Sequence, residues 1–198
     1  ADIDATARKI IAKKARYQAV EAETNVPWFV VGVIHAMEGG GDFTTHLHNG
    51  DPLTARTKLI PAGRPKSGEP PFGWKESACD ALLMKNLQSI ADWPIDRICY
   101  ELERYNGFGY RNHHAETLSP YLWSGSNHYA QGKYVSDGKW SASAVSGQSG
   151  ALPILRSVMA LDPEVATAVS GDVVDDAERE TIEDSEPLRP TPPATPPN

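Results

Sequence analysis

Apolar positions first recur with helical spacing at Ile11, Ala15, Ala19 and Ala22, which predicts a helix over 4–22 with Asp4 as its N-cap. Trp28, Val30, Val31, Val33, Ile34 and Met37 are apolar nearly all round. A second helix, capped by Asn25 with Pro27 in its first turn, is therefore expected to run through the core. Glu38 is its last strong helix former, because Gly39-Gly40-Gly41 follows. Over 42–72 the helical period is lost. Glycines and prolines punctuate two β-compatible pieces, 43–47 and 54–60, joined by His48-Asn49-Gly50-Asp51, and predict a small hairpin followed by a proline-rich loop. Helical spacing returns over 74–90 and over 95–105, where Pro94 sits near the first turn. Residues 106–148 are rich in Gly, Ser, Asn and aromatics, and a last helix is expected over 151–159. The pattern predicts a mainly α (α+β) domain over 1–160 with a small β-hairpin lobe.

Composition changes this picture only at the C-terminal end. The 198 residues are 40% hydrophobic, enough for one packed domain, and no apolar run has the length of a membrane span. A formal net charge of −7 argues at first against a polyanionic partner. Residues 1–160, however, carry 17 Lys/Arg against 16 Asp/Glu, a net of +1, whereas 161–198 carry 2 against 10, a net of −8. The acidity belongs to the tail, which ends in Pro-Leu-Arg-Pro-Thr-Pro-Pro-Ala-Thr-Pro-Pro and fits a disordered linker to a further domain or partner. The basic run Arg8-Lys9 to Lys13-Lys14-Ala-Arg16 reads as a solvated helix face, so no nucleic-acid partner is expected. Cys79 and Cys99 read as buried thiols, with a single disulfide as the less favoured alternative.

Glu38, Asp51 and Thr57 form the first candidate constellation. A carboxyl at the C-terminal end of a buried helix, among apolar neighbours and facing the negative end of the macrodipole, is expected to hold its proton. A loop-borne Asp in an Asn-Gly-Asp turn is expected to ionise normally. Glycoside cleavage uses such a split pair, one acid and one group on the opposite face of the sugar. Two alternatives stay open: Glu38 merely ends a helix, or Asp42 rather than Asp51 is the second carboxylate. The aromatic and polar block Tyr105-Asn106-Gly107-Phe108-Gly109-Tyr110-Arg111, with Tyr121, Trp123 and Tyr134, suits a cleft that grips sugar rings. The same aromatics would equally staple a loop region to the core, the role expected of Phe108 and Leu122. His46-Leu47-His48 places two imidazoles on one strand face, short of a zinc set, and no metal or cofactor is expected.

A helix ending in Glu, a glycine-rich exit, a hairpin and an all-helical remainder resemble the lysozyme-like superfamily over about residues 25–135. The Asp51-x5-Thr57 spacing resembles the second half of the Glu-Asp-Thr triad of phage-type lysozymes, although the interval from Glu38 to Asp51 is longer than usual. Tyr105-Asn106-Gly107 resembles the Tyr-Asn-Ala-Gly segment of lytic transglycosylases and goose-type lysozymes; it departs from that pattern at its third residue, and the expected Gly-Leu-Met-Gln segment is absent. The resemblance implies a monomeric peptidoglycan glycan-strand hydrolase, periplasmic, secreted or phage-associated. Glu38 would be its general acid, Asp51 and Thr57 would assist, and Tyr105, Asn106, Tyr110, Tyr121 and Trp123 would hold the sugars. A lytic transglycosylase using Glu38 alone, a silent glycan-binding module and an interaction protein working through its tail are the alternatives.

Overall fold

A computed structural model describes residues 2–136 and 138–170. The apolar segment after Pro27 forms helix α3 (Trp28–Gly39), and every residue from Trp28 to His35 is buried. Two helices, α1 (Ile3–Ala12) and α2 (Lys14–Thr24), stand where one was expected over 4–22, and the chain breaks at Lys13. Asp2 rather than Asp4 caps α1, accepting the Ala5 N–H at 3.1 Å. Asp4 instead accepts from the Ser157 hydroxyl at 2.6 Å and ties α1 to α8 (Ala151–Leu161). Asn25 closes α2 rather than opening α3: it takes a left-handed φ of 57° and donates to Glu21 O at 2.7 Å. The short polar side chain tolerates that conformation, and the proline two residues on keeps Val26 out of the helix.

The remaining helices are α4 (Trp74–Met84), α5 (Ile95–Asn106), the short α6 (Gly109–His113) and α7 (Pro120–Trp123), α8, and α9 (Pro163–Ser170). Helix α4 is shorter than its pattern suggests, because Asn86 turns left-handed and a 3₁₀ turn, Leu87–Ser89, replaces the last part. Helix α9 buries Val165 and Val169, and Lys14 reaches across to Asp162 at 3.0 Å and Glu164 at 3.2 Å. Core-packed helix thus runs ten residues past the expected boundary at residue 160. The linker expected further on lies outside the described residues.

A small antiparallel sheet is present, but not where the pattern placed it. Strands β1 (Lys133–Ser136) and β2 (Lys139–Ser141) pair with Tyr134 opposite Trp140. Where a hairpin was expected over 43–60 there is one bridge, Thr45 with Pro52, flanked by His46 N to Asp51 O at 2.7 Å and Leu53 N to Thr44 O at 3.0 Å. Among the described residues this pairing goes no further than Leu53. Side chains take over beyond it: Arg56 donates to the carbonyls of Pro65 and Gly68, and His46 Nε2 engages Ala55 O at 2.8 Å.

Candidate functional site

Glu38 lies half-buried on the last turn of α3. The Met37 carbonyl beside it accepts from Gln148 Nε2 at 2.9 Å, which fixes the helix end against the loop before α8. Tyr121 comes to Glu38 from α7, its hydroxyl donating to Oε1 at 2.9 Å. That approach depends on Gly150. A Cβ there would stand 2.5 Å from Leu122 O and 2.7 Å from Ser124 N, so only glycine lets the start of α8 close on α7.

Two further groups complete the neighbourhood. Tyr105 is 5% exposed on α5 and donates through its hydroxyl to Leu47 O at 3.1 Å. Lys85, just after α4, donates to Tyr105 O at 2.8 Å and stands 5.1 Å from the centre of the Tyr105 ring. Burial pushes the Glu38 carboxyl up to about 7, while the Tyr121 hydrogen bond and the Lys85 charge pull the other way. Burial also raises both phenols well above their ordinary value, and the Glu38 charge adds to each. Glu38, Tyr105, Tyr121 and Lys85 therefore form one electrostatic cluster. In it Glu38 is pushed toward protonation up to near neutral pH, with the Tyr121 hydroxyl bound to it and the Lys85 charge acting from its place on Tyr105.

Asp51 has the opposite setting. Its Oδ2 accepts from Lys58 N at 2.8 Å, Leu59 N at 3.1 Å and Asn49 Nδ2 at 3.0 Å. The Lys58 N–H above all holds its carboxyl below the usual range, against a smaller upward push from burial. The turn that carries it lies against the end of α3: Gly50 has φ 78°, and a Cβ there would sit 3.0 Å from Glu38 O. Among the described residues no hydrogen bond or ion pair joins the Asp51 and Glu38 side chains. Thr57 does not reach Asp51 either. It is 3% exposed, donates to Pro61 O at 2.5 Å and accepts from Arg64 N at 2.9 Å, so its hydroxyl closes the 57–64 loop. Asp42, the competing carboxylate, is exposed and folds back on Thr44, whose N–H and hydroxyl it accepts at 2.8 Å each.

The aromatic block divides. Tyr105 and Tyr121 meet at Glu38, whereas Tyr110 is buried in a separate cluster with Tyr134 and Trp140, ring centres 5.4 and 5.8 Å away, and accepts from Tyr134 N. Asn106 is exposed at the end of α5. Trp123 packs its ring edge-on with His128, centres 5.0 Å apart, and lines a groove along α5 that Glu38 does not line. Phe108, assigned to the core from sequence, is half-buried beside Tyr100, while Leu122 is 2% exposed. The histidines fasten the 42–72 loop: His46 Nδ1 shares a hydrogen bond with Ser77 Oγ at 2.7 Å, and His48 Nε2 meets Asp80 Oδ2 at 2.7 Å. Both cysteines are free thiols, Cys79 buried and Cys99 partly so.

Lys85 and Gln148 are the members that sequence reading misses. Lys85 reaches Tyr105 on α5 and Gln148 reaches the end of α3, each from far along the chain, and no local pattern signals either contact. Comparison of the chain with protein-family models, with curated proteins and with solved structures found no match.

Proposed function

We propose that this protein cleaves the glycan strands of peptidoglycan, with Glu38 as the general acid. The observation that carries the reading is the half-buried Glu38 carboxyl, raised to about 7 and gripped by the Tyr121 hydroxyl at 2.9 Å. A carboxylic acid protonated up to neutral pH can deliver its proton to a glycosidic oxygen as the C1–O bond breaks. Asp51, kept ionised by backbone amides on a turn packed against the same helix end, has the charge to stabilise the oxocarbenium-like centre or to orient water. Hydrolysis then adds water across C1 and the leaving oxygen. Tyr105 and Tyr121 supply the wall of the site, and the resemblance of the Tyr105-Asn106-Gly107 segment supports a glycan substrate.

A second reading has its own support. Asp51 Oδ2 already accepts three donors and the Thr57 hydroxyl is engaged elsewhere. Glu38 would then act alone, first as acid and then as base, drawing the C6 hydroxyl of the same sugar onto C1 to leave a 1,6-anhydro end. Digestion of purified peptidoglycan by wild type and Glu38→Gln, followed by mass spectrometry, tests both. Reducing ends from wild type and none from the variant support hydrolysis. Anhydro ends support the second reading. Equal turnover by the two proteins, or none by wild type, would overturn the glycosidase reading altogether.

A further inference from the structure

Away from Glu38, the outer side of α5 carries two adjoining depressions of about 780 and 720 Å³ that share Asp96, Arg97 and Tyr100. The first runs between α5, the segment 115–118 and α7, and neither Glu38 nor Asp51 lines it. Its floor holds an unmet polar group: Ser119 is 2% exposed, yet its hydroxyl has no hydrogen-bond partner among the described residues. A buried hydroxyl without a partner is costly, and a ligand in the groove would supply one. Around it stand apolar surfaces left open to solvent, Tyr100 at 39% exposure and Leu118 at 46%, with Trp123 at the α7 end. Arg111 is pinned beside them by Glu103, through Nε at 2.8 Å and Nη2 at 2.6 Å, with its guanidinium 5.8 Å from the Tyr100 ring centre. The second depression continues the trough with polar groups of both kinds, including Asn86, Ser89, Asp92 and Arg104.

An extended trough with an aromatic ridge, and with both donors and acceptors along its length, matches a polyhydroxylated chain. Sugar rings offer an apolar face to Tyr100 and hydroxyls that both give and take hydrogen bonds. The chain's own proline-rich segment, 187–198, fits less well. Six of its twelve residues are prolines without a backbone N–H, which leaves Asp92 and Asp96 fewer donors than a polyhydroxylated chain offers, and the stretch leading to it, 171–186, carries 8 acidic residues against one arginine. We propose that this trough is a second, non-catalytic binding site for a glycan strand, separate from the Glu38 site. The proposal rests on the glycan reading above for its ligand class, and on Ser119 and Tyr100 for its location.

The test uses the full chain carrying Glu38→Gln, labelled with ¹⁵N and titrated with soluble, uncross-linked peptidoglycan strands. The proposal expects saturable shifts at Tyr100, Leu118, Ser119 and the Arg111 side chain. Affinity at those signals should fall about tenfold in Tyr100→Ala, and similarly in Leu118→Asp, both at exposed positions that leave the core intact. Shifts confined to Tyr121 and the end of α3 would overturn the second site and leave the cleavage reading standing. Shifts at neither place would overturn both. If a peptide of residues 187–198 moves the trough signals and the strands do not, the trough belongs to the tail and the proposal fails.

Discussion

The end of α3 and the turn that packs against it each carry a carboxylate, and the two are held in opposite ways. Glu38 has one strong donor, Tyr121, and its burial outweighs that donor, so the acid form is favoured up to about pH 7. Asp51 is only partly buried and is met by two backbone N–H groups and Asn49, so its ionised form is favoured. The number of donors offered to each carboxylate, set against its burial, decides the sign of the shift. Neighbouring segments can thus divide acid and base character without the two carboxylates touching, which is the division glycoside cleavage asks for.

Removing the raised acid should break the comparison most severely. Glu38→Gln is expected to lower peptidoglycan turnover by about a thousandfold, within the range for loss of a general acid. The same variant should gain stability at alkaline pH. Because the folded protein holds the Glu38 proton more tightly than the unfolded chain does, wild type has its full stability below the unfolded value of 4.5. That stability is lost progressively as pH rises through about 7. Thermal melts at pH 8 should place Glu38→Gln above wild type, by a margin on the order of 3 kcal/mol at most, with the two converging at pH 4. No gain at pH 8 would mean that Glu38 ionises freely.

Asp51→Asn removes the other half of the contrast. It should weaken charge-assisted bonds to Lys58 N and Leu59 N and cost about 1–2 kcal/mol, read as a lower urea midpoint. That contribution exists above the unfolded carboxyl value and disappears as pH falls through the depressed folded value. Wild type and variant should therefore become equally stable in acid. Turnover should drop about 30-fold if Asp51 assists at the sugar; a change within twofold assigns the chemistry to Glu38 alone.

Tyr121→Phe sharpens the comparison from the acid's side. Its hydroxyl lowers the Glu38 value, so the variant should move the alkaline limb of the pH–rate profile upward, with turnover reduced about tenfold. An unmoved limb would separate Tyr121 from proton control. The smallest effect on chemistry belongs to Thr57→Val, since that hydroxyl spans Pro61 O and Arg64 N. Stability should fall by about 1–2 kcal/mol, with the product pattern unchanged in mass spectra.

These residues also show what sequence can and cannot reveal. Helix α3 was legible because a continuous apolar run ending in Glu-Gly-Gly-Gly has few other structures open to it. The raised proton affinity of Glu38 followed from that placement, although burial is the leading cause in the structure. Asn25 suits a helix start and a left-handed stop alike, and its local sequence did not decide between them. The expected hairpin over 43–60 shrank to the Thr45–Pro52 bridge, with the His46 and Arg56 side chains taking the carbonyls of Ala55, Pro65 and Gly68 in place of a strand partner, while β1 and β2 formed from polar segments held by Tyr110, Tyr134 and Trp140. Helix α9 was hidden by acidic composition, since only Val165 and Val169 mark its buried side. Tyr105 and Tyr121 were found as a class of residue, but Tyr110, from the same aromatic block, went to a different cluster. Lys85 and Gln148 were invisible because their partners lie on α5 and α3, brought close only by the packed fold.

The central claim is that Glu38 is an acid held protonated to near neutral pH and that its proton drives cleavage. Selective ¹³C labelling of glutamate carboxyls, with Glu38 assigned by its loss in Glu38→Gln, allows its titration to be followed by NMR beside the pH dependence of peptidoglycan cleavage. The account predicts a titration midpoint of about 7 that coincides with the alkaline limb of kcat/KM. A midpoint near 4.5, or an alkaline limb that persists unchanged when Glu38 is replaced, would contradict it.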